Sequence, residues 1–400
     1  ASRRQTLALA GASSGRRWLS STPVRQDKKR GVFVAATGQH HGKTTVTLGL
    51  VSALLRKGVK VGYQKPVGQQ TVPIECDGEM LQVDRDVDIF KHIWPELIGK
   101  YRDASPVAFP PNFTRMVLDG EVQSHELRER TIKSFNTIYE QSEYLVAEGT
   151  GHIGVGSIVG LNNAQVAEAI GLDVVMVAPG GLGISFDQLA VNHAMLKHYR
   201  VNLKGVVLNR VSPKKLDMVR HYYKKALDTI GVPLFGVIPE NDTLAQPSLR
   251  SLKKLLDCEF LCGEEYELRH FDHTRLIISV KELPRSPVQP RSLLIVHTSR
   301  LEVLFAFLRQ NKEVIDATGN DLESGVILVG SVPEKELVDE LKSSNVPALF
   351  VEKGNFDGTG FKLLEKVLGF THKHHKQDVT RILRTCEHVE QFVDVDAITA

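Results

Sequence analysis

The chain has 400 residues, of which 42% are hydrophobic and 24% charged, as in an ordinary soluble protein of one large or two smaller domains. Residues 1–30 hold eight of the 50 Lys and Arg and one of the 47 Asp and Glu, which leaves 42 basic and 46 acidic residues elsewhere. This mildly acidic body argues against nucleic-acid binding, and no apolar run approaches the roughly 18 residues of a membrane helix.

The first 30 residues form a basic segment with no acid before Asp27. Arginines alternate with several serines and with large apolar residues, which is typical of a mitochondrial transit peptide. We therefore expect residues 1–30 to be removed and the protein to reach the mitochondrial matrix, the alternative being a disordered basic tail. The four cysteines are widely scattered, which fits a reducing compartment without disulfides.

Residues 37–45 read Thr-Gly-Gln-His-His-Gly-Lys-Thr-Thr and follow an apolar run at Gly31–Ala36. A strand, a glycine-rich turn and a helix together aim backbone N–H groups at an anion. Lys43 would reach the β- and γ-phosphates of ATP, and Thr44 would hold Mg²⁺. The histidines in the loop either favour phosphate as protonated imidazoles or are simply exposed. The predicted nucleotide-binding residues of the loop are Gly38, Gln39, His40, His41, Gly42, Lys43, Thr44 and Thr45.

Short apolar runs alternate with helix-length segments from residue 31 to about 256. This pattern predicts an α/β domain with a doubly wound, mostly parallel sheet covered by helices on both faces. Ligands of such sheets bind beyond the carboxyl ends of the strands. The predicted strands are Gly31–Ala36, Val59–Gln64, Tyr144–Glu148, Val174–Ala178, Gly205–Asn209 and Leu234–Ile238.

Polar residues follow several of these strands and are candidates for the site. Lys65 could neutralise a transferring phosphoryl group or hold a carboxylate substrate, or it could be a solvated lysine at a strand end. Glu148 is the natural second ligand for the Mg²⁺ held by Thr44. Asn209 ends a later strand with an amide that can read a base, or it is a turn residue. A further metal ligand could come from Asp84, Asp86 or Asp88, unless this acidic run is a solvated helix start.

A second, smaller α/β pattern begins near residue 275, after a boundary at about 257–274. We predict a domain over residues 275–400 that includes a C-terminal helix. The histidines at 372, 374 and 375 are interpreted as part of a solvated linker, with a metal site as the alternative. The predicted strands are Leu276–Val280, Leu293–Val296, Val326–Val329 and Ala348–Val351.

Five motifs together resemble the dethiobiotin synthetase family: Gly-Lys-Thr-Thr at 42–45, Lys-Pro-Val at 65–67, Glu-Gly-Thr-Gly at 148–151, Leu-Asn at 208–209 and Gly-Val-Ile-Pro at 236–239. The chain is most similar to the synthetase-like amino-terminal region of long bacterial phosphotransacetylases. In those proteins a DRTGG domain follows, and residues 275 to about 355 resemble it in strand order. Its motifs are degenerate here, as Thr-Ser-Arg at 298–300 and Val-Gly-Ser at 329–331.

The resemblance implies that Lys43 binds phosphates and that Lys65 holds a substrate carbamate. Thr44, Asp86 and Glu148 would then hold Mg²⁺, and Asn209 would contact adenine. It also implies a homodimer and a small-molecule substrate near Thr150 and Gly151. The connection at 106–115 resembles the phosphotransacetylases, and Arg115 suggests an anionic ligand.

Two functions are consistent with these residues. The first is an ATP-dependent ligase or phosphotransferase that acts on a carboxylate or carbamate. The second is a non-catalytic nucleotide sensor that reports to a partner through its second domain. The sequence also departs from the chromosome-partitioning ATPases, because their signature lysine is absent at Ala36 and Thr37.

Overall fold

The computed structural model describes residues 29–241, 244, 246–279, 281, 286–352, 360–370 and 374–400. The predicted transit peptide therefore lies outside the described residues, apart from residues 29 and 30. Within the described ranges, no helix is long and apolar enough to cross a membrane.

Strands and helices alternate through most of the chain. The strands are β1 (Gly31–Ala36), β2 (Val61–Gln64), β3 (Val67–Gly68), β4 (Thr71–Cys76), β5 (Glu79–Asp84), β6 (Val107–Ala108), β7 (Tyr144–Glu148), β8 (Val174–Pro179), β9 (Leu203–Val211), β10 (Leu234–Pro239), β11 (Glu259–Cys262), β12 (His273–Leu276), β13 (Ser292–His297), β14 (Gly325–Gly330) and β15 (Ala348–Glu352). The helices are α1 (Lys43–Arg56), α2 (Arg85–Ile93), α3 (Tyr101–Ala104), α4 (Phe113–Leu118), α5 (Ser124–Tyr139), α6 (Asn163–Ile170), α7 (Gly183–His198), α8 (Leu216–Asp228), α9 (Leu249–Leu256), α10 (Leu301–Thr318), α11 (Lys335–Ser343), α12 (Gly360–Leu368), α13 (Val379–Phe392) and α14 (Val395–Thr399).

The first sheet has six strands in the order β10-β9-β8-β1-β7-β2, and every neighbouring pair is parallel. Its central strand, β1, is buried along its whole length because helices cover both faces. The predicted α/β fold with a mostly parallel, doubly wound sheet is confirmed. The phosphate loop leaves the carboxyl end of β1, beside the carboxyl ends of β7 and β8.

One face of the first sheet packs against the C-terminal helices. Ile382, Cys386 and Val389 of α13 are buried in the same apolar cluster as Val46 and Leu50 of α1. The expectation that the C-terminal helix belongs to the second domain is therefore wrong. The spacing of apolar residues along α13 predicts an amphipathic helix, but it does not identify which sheet the apolar face covers.

The second sheet has five strands in the order β11-β15-β14-β13-β12, with only β11 antiparallel. It confirms a second, smaller α/β unit. Two details differ from the expectation. The strand predicted at Leu276–Val280 ends at Leu276, and residue 280 lies outside the described residues. The predicted boundary segment contains β11, because its apolar residues Phe260 and Cys262 pair with β15 at the sheet edge.

A hairpin that the sequence analysis did not predict precedes α2. Its strands β4 and β5 are joined by Asp77 and Gly78, which both have positive φ angles, of 54° and 79°. An Asp-Gly pair with both residues left-handed is a preferred two-residue hairpin turn. The hairpin delivers the chain to Asp84, at the start of α2.

Candidate nucleotide and metal site

The phosphate loop has the backbone that its sequence predicts. Gly42 precedes α1 with φ of 96°, a conformation that favours glycine. A side chain there would also collide with Asn209, whose Nδ2 is 1.9 Å from an ideal Cβ. The first turn of α1 contains no acid, so its N–H groups and positive end remain attractive to an anion.

Four side chains meet beside the loop, and they are the ones predicted for phosphate transfer and metal binding. Lys65 Nζ lies 2.7 Å from Asp86 Oδ2 and 2.7 Å from Glu148 Oε1. The hydroxyl of Thr44 lies within hydrogen-bond distance of the same two oxygens, at 3.2 Å and 2.8 Å, and can donate its one proton to either. Lys65 is only 4% exposed, so the alternative of a solvated lysine at a strand end does not apply.

Local structure explains how these side chains meet. Glu148 is the last residue of β7, and the next residue is Gly149, where a Cβ would lie 2.7 Å from Asn163 Oδ1 and 2.8 Å from Phe33. Asp84 caps α2 by accepting the N–H of Asp86, which places Asp86 in the first turn. β2 and β7 are neighbours in the sheet, so Lys65 and Glu148 emerge at the same edge.

Burial and opposite charges shape the ionisation of this cluster. Burial alone would lower the pKa of Lys65, but the charges of Asp86 and Glu148 outweigh it and the pKa is raised. Burial alone would raise the pKa of Asp86, and the adjacent Lys65 holds it at about 2. Burial raises the pKa of Glu148 despite the opposing effect of Lys65. For Asp84, burial raises the pKa to about 6.

Lys43 is the first residue of α1 and donates to the carbonyl oxygen of Gly151 over 2.7 Å. Burial and the nearby charge of Lys65 lower the pKa of Lys43 to about 8. A phosphate at the loop would bring negative charge to an ammonium that has no carboxylate within salt-bridge distance in the described residues. Lys43 is therefore placed to bind an anion rather than to complete an internal ion pair.

The donor set beside the loop fits Mg²⁺. Nucleotide-bound Mg²⁺ takes one or two carboxylates together with phosphate and water oxygens, and Thr44, Asp86 and Glu148 offer hard oxygen ligands of this kind. Among the described residues, no group of three or more His, Cys, Asp or Glu forms a metal cage. A site of this type would thus be completed by the nucleotide and not by protein alone.

The glycine-rich turn after β7 is held by Asn163, which the sequence analysis did not identify. Its side chain bonds both the N–H and the carbonyl of Thr150, over 3.0 Å and 2.7 Å. The Thr150 hydroxyl donates to the carbonyl of Val67. Thr150 and Gly151, predicted to contact substrate, therefore line the cavity on a fixed turn.

Asn209, predicted to contact adenine, bonds the loop itself. Its Nδ2 donates to the carbonyl of His41 over 3.0 Å. The His41 ring bonds the Thr37 hydroxyl, and burial, with Lys43 and Arg210 nearby, lowers the His41 pKa. A protonated His41 is therefore disfavoured, in contrast to one of the two expectations for it. Gln39, His40 and Thr45 line the cavity.

Two candidate residues lie apart from the cluster. Arg115 is exposed on α4 and is not among the residues that line the cavity. Asp88 is buried and forms an ion pair with Lys376 over 2.9 Å. Of the three acids at 84–88, Asp86 is the one that contacts Thr44.

The cavity over the loop measures about 560 Å³ and has a wall that the sequence analysis missed. This wall comes from the C-terminal part of the chain and includes Phe370, His374 and His388. His374, interpreted from sequence as part of a solvated linker, is instead partly buried, with its Nε2 3.3 Å from the Thr45 hydroxyl, and burial lowers its pKa to about 4. No signal in the local sequence links residues this far apart.

The chain has a parallel α/β sheet with a phosphate loop after its central strand, and a lysine and two acids lie beside that loop. These features define a P-loop protein of the nucleotide-binding class. A family model described as an AAA domain matches residues 30–248, and the chain belongs to that family.

Curated relatives agree with the motifs. The ATP-dependent dethiobiotin synthetase of Methanocaldococcus jannaschii is 27% identical over 53% of this chain and 94% of its own length. The phosphate acetyltransferase of Deinococcus radiodurans is 24% identical over 91% of this chain and 50% of its own length. The chain thus spans about half the length of that second relative. The predicted resemblance to dethiobiotin synthetases and long phosphotransacetylases is confirmed.

Among solved structures, the MinC:MinD cell division complex of Aquifex aeolicus aligns with 54% of this chain and 83% of its own. The identity is 15% and the TM-score 0.35, which is too low to carry an argument about function.

Proposed function

We propose that this protein binds Mg²⁺-ATP and transfers its γ-phosphoryl group to a carboxylate or carbamate, as an ATP-dependent ligase of the dethiobiotin synthetase type. One observation carries the proposal: Lys65, Asp86, Glu148 and Thr44 converge within hydrogen-bond distance beside the phosphate loop. Phosphoryl transfer is catalysed mainly by positioning and charge, and this cluster provides both.

Different residues of the site would bind the phosphates, neutralise their charge and orient the substrate. Lys43 and the N–H groups at the start of α1 would bind the β- and γ-phosphates. Mg²⁺, held by Thr44, Asp86 and Glu148, would neutralise charge on the phosphates. Lys65 would orient the anionic substrate next to the γ-phosphorus. The substrate oxygen forms the new P–O bond while the bond to ADP breaks, and an amine of the substrate then attacks the activated carbon and releases phosphate.

The test is phosphate release by the protein with Mg²⁺-ATP, with and without diaminopelargonate and bicarbonate. Release that needs both compounds would support a dethiobiotin synthetase. Release with another carboxylate would keep the reaction type and change the substrate. Absence of release with every carboxylate or carbamate tried, despite ATP binding, would refute the ligase proposal.

A nucleotide sensor is the second candidate, and the C-terminal wall of the cavity favours it. Helix α13 packs on α1, and Asp378, directly before α13, lies 2.6 Å from His270 Nε2 in the segment that leads into β12, so occupancy of the loop could be transmitted to the second sheet. ATP binding without turnover, together with a nucleotide-dependent change in association with a partner, would support this function. ATP that changed neither shape nor association would count against it.

Two further expectations remain proposals. The resemblance to the synthetases supports a homodimer, which sedimentation at several concentrations would test. The basic segment at 1–30 supports import into the mitochondrial matrix, which an import assay with isolated mitochondria would test.

A further inference from the structure

The order of strands in the first sheet divides the cavity into two ends. The loop leaves β1, and the cluster of Lys65, Asp86 and Glu148 lies on the side of β7 and β2. A nucleotide whose phosphates bind the loop and face this cluster must place its nucleoside on the other side. That side lies over the carboxyl ends of β9 and β10.

This nucleoside end has two walls. Ile238 and Pro239, at the end of β10, form the first. The second comes from the C-terminal segment and includes Phe370, Thr385 and His388. The two walls touch, because His388 Nε2 lies 3.0 Å from the carbonyl oxygen of Pro239.

The second wall lies outside the region that the family model matches, because that region ends at residue 248. In this chain the wall is fixed to the loop helix: a Cβ at Gly49 of α1 would lie 2.4 Å from Val389 of α13. The close packing of α13 on α1 therefore positions His388.

The hydrogen bond of His388 determines which ring nitrogen remains available. A carbonyl oxygen can only accept, so Nε2 carries the proton and Nδ1 of a neutral ring is an acceptor. No hydrogen bond to Nδ1 is found within the part of the chain that the structure describes. The ring also contacts Phe392 edge to face at 5.2 Å, which restricts its orientation.

We propose that His388 is a specificity residue of the nucleotide site and that it selects a base with an exocyclic amino group, as in adenine, over one with a carbonyl at that position, as in guanine. An acceptor at Nδ1 pairs with an amino N–H and opposes a carbonyl oxygen. The inference rests on the proposed binding of ATP and adds the group that reads the base.

The experiment measures the dissociation constants of Mg²⁺-ATP, Mg²⁺-GTP and tripolyphosphate for the full chain and for His388→Ala. A lost hydrogen bond corresponds to a weakening of about 2- to 10-fold. We expect this loss for ATP alone, with GTP and tripolyphosphate changed less than about 2-fold. His388→Asn, which keeps a donor and an acceptor, should regain part of the ATP affinity. Glu387→Ala, an exposed neighbour on α13, should bind like the wild type.

The outcomes separate the inference from the proposed function. If the wild type binds ATP and His388→Ala binds it equally well, the inference is wrong and the proposed function stands. An equal loss for ATP, GTP and tripolyphosphate would show a general structural effect, which also overturns it. If the wild type binds no nucleotide, the proposed function fails, and the inference fails with it.

Discussion

Replacing Lys65 by Met should destabilise the fold more than any other single change in the cluster of Lys65, Asp86, Glu148 and Thr44. The ammonium lies 2.7 Å from two carboxylate oxygens; Lys65 and Glu148 are buried, and Asp86 is partly buried. Met keeps most of the length and apolar volume but leaves Asp86 and Glu148 without a counter-charge. Removing one partner of a buried ion pair typically costs about 3–5 kcal/mol, and we expect a loss of that size without Mg²⁺.

Lys43→Met is the matched control for this change. Lys43 is also buried, at 8% exposure, but it donates to a backbone carbonyl and lies near the like charge of Lys65. Its replacement removes one hydrogen bond, worth about 1 kcal/mol, and relieves that repulsion. The two lysine variants should therefore differ by at least about 2 kcal/mol.

The assay is equilibrium unfolding in urea with EDTA and then with Mg²⁺. Mg²⁺ should restore part of the stability of the Lys65 variant, because the two carboxylates are then free to bind the cation. It should have less effect on the wild type, where Lys65 competes for the same oxygens. A Lys65 variant within about 1 kcal/mol of the wild type, or equal to the Lys43 variant, would refute the account of the cluster.

Three other changes test separate parts of the site. Gly42→Ala should abolish nucleotide binding, because its Cβ would meet Asn209 at 1.9 Å and the φ angle of this residue is 96°. The control Gly58→Ala has a similar φ of 76° but open space around it, so it should keep nucleotide binding and lower the free energy of unfolding by only about 1 kcal/mol, as measured by thermal unfolding. The pKa of Asp84 is raised from 3.8 to about 6, so its charge destabilises the fold above pH 6, and this penalty disappears as the pH falls toward 4. Asp84→Asn should therefore be more stable than the wild type at pH 8, by up to about 3 kcal/mol, and should lose that advantage near pH 4. A stability difference that does not change with pH would contradict this. A thiol reagent at pH 8 should label Cys76 in the folded protein and the three buried cysteines only after denaturation; rapid labelling of more than one thiol in the native state would be inconsistent with their burial.

The parts of the site that could be predicted from the sequence are those that depend on local structure. An apolar run, Gly-Lys-Thr and a helix are adjacent in the chain, so the sequence alone predicts where Lys43 and Thr44 lie. Lys65 follows directly after a predicted strand, and Glu148 is the last residue of another. In a parallel sheet such residues meet at one edge, so they could be placed together before the structure was known.

The C-terminal wall could not be predicted, because it depends on tertiary packing. His374 contacts a residue 329 positions away, and His388 contacts one 149 positions away. The amphipathic pattern of α13 fits either sheet equally well. Helix α13 covers the first sheet because Gly49 of α1 lets Val389 approach closely, and a single sequence does not show which surface a glycine leaves open for packing.

The most direct test of the central claim is a calorimetric titration of the protein with Mg²⁺-ATP, for the wild type and for Lys43→Ala. The account predicts saturable binding at one site per chain, and at least tenfold weaker binding in the variant, which should remain folded. Absence of binding by the wild type, or equal affinity in the two proteins, would contradict the assignment of residues 37–45 as the nucleotide-binding loop.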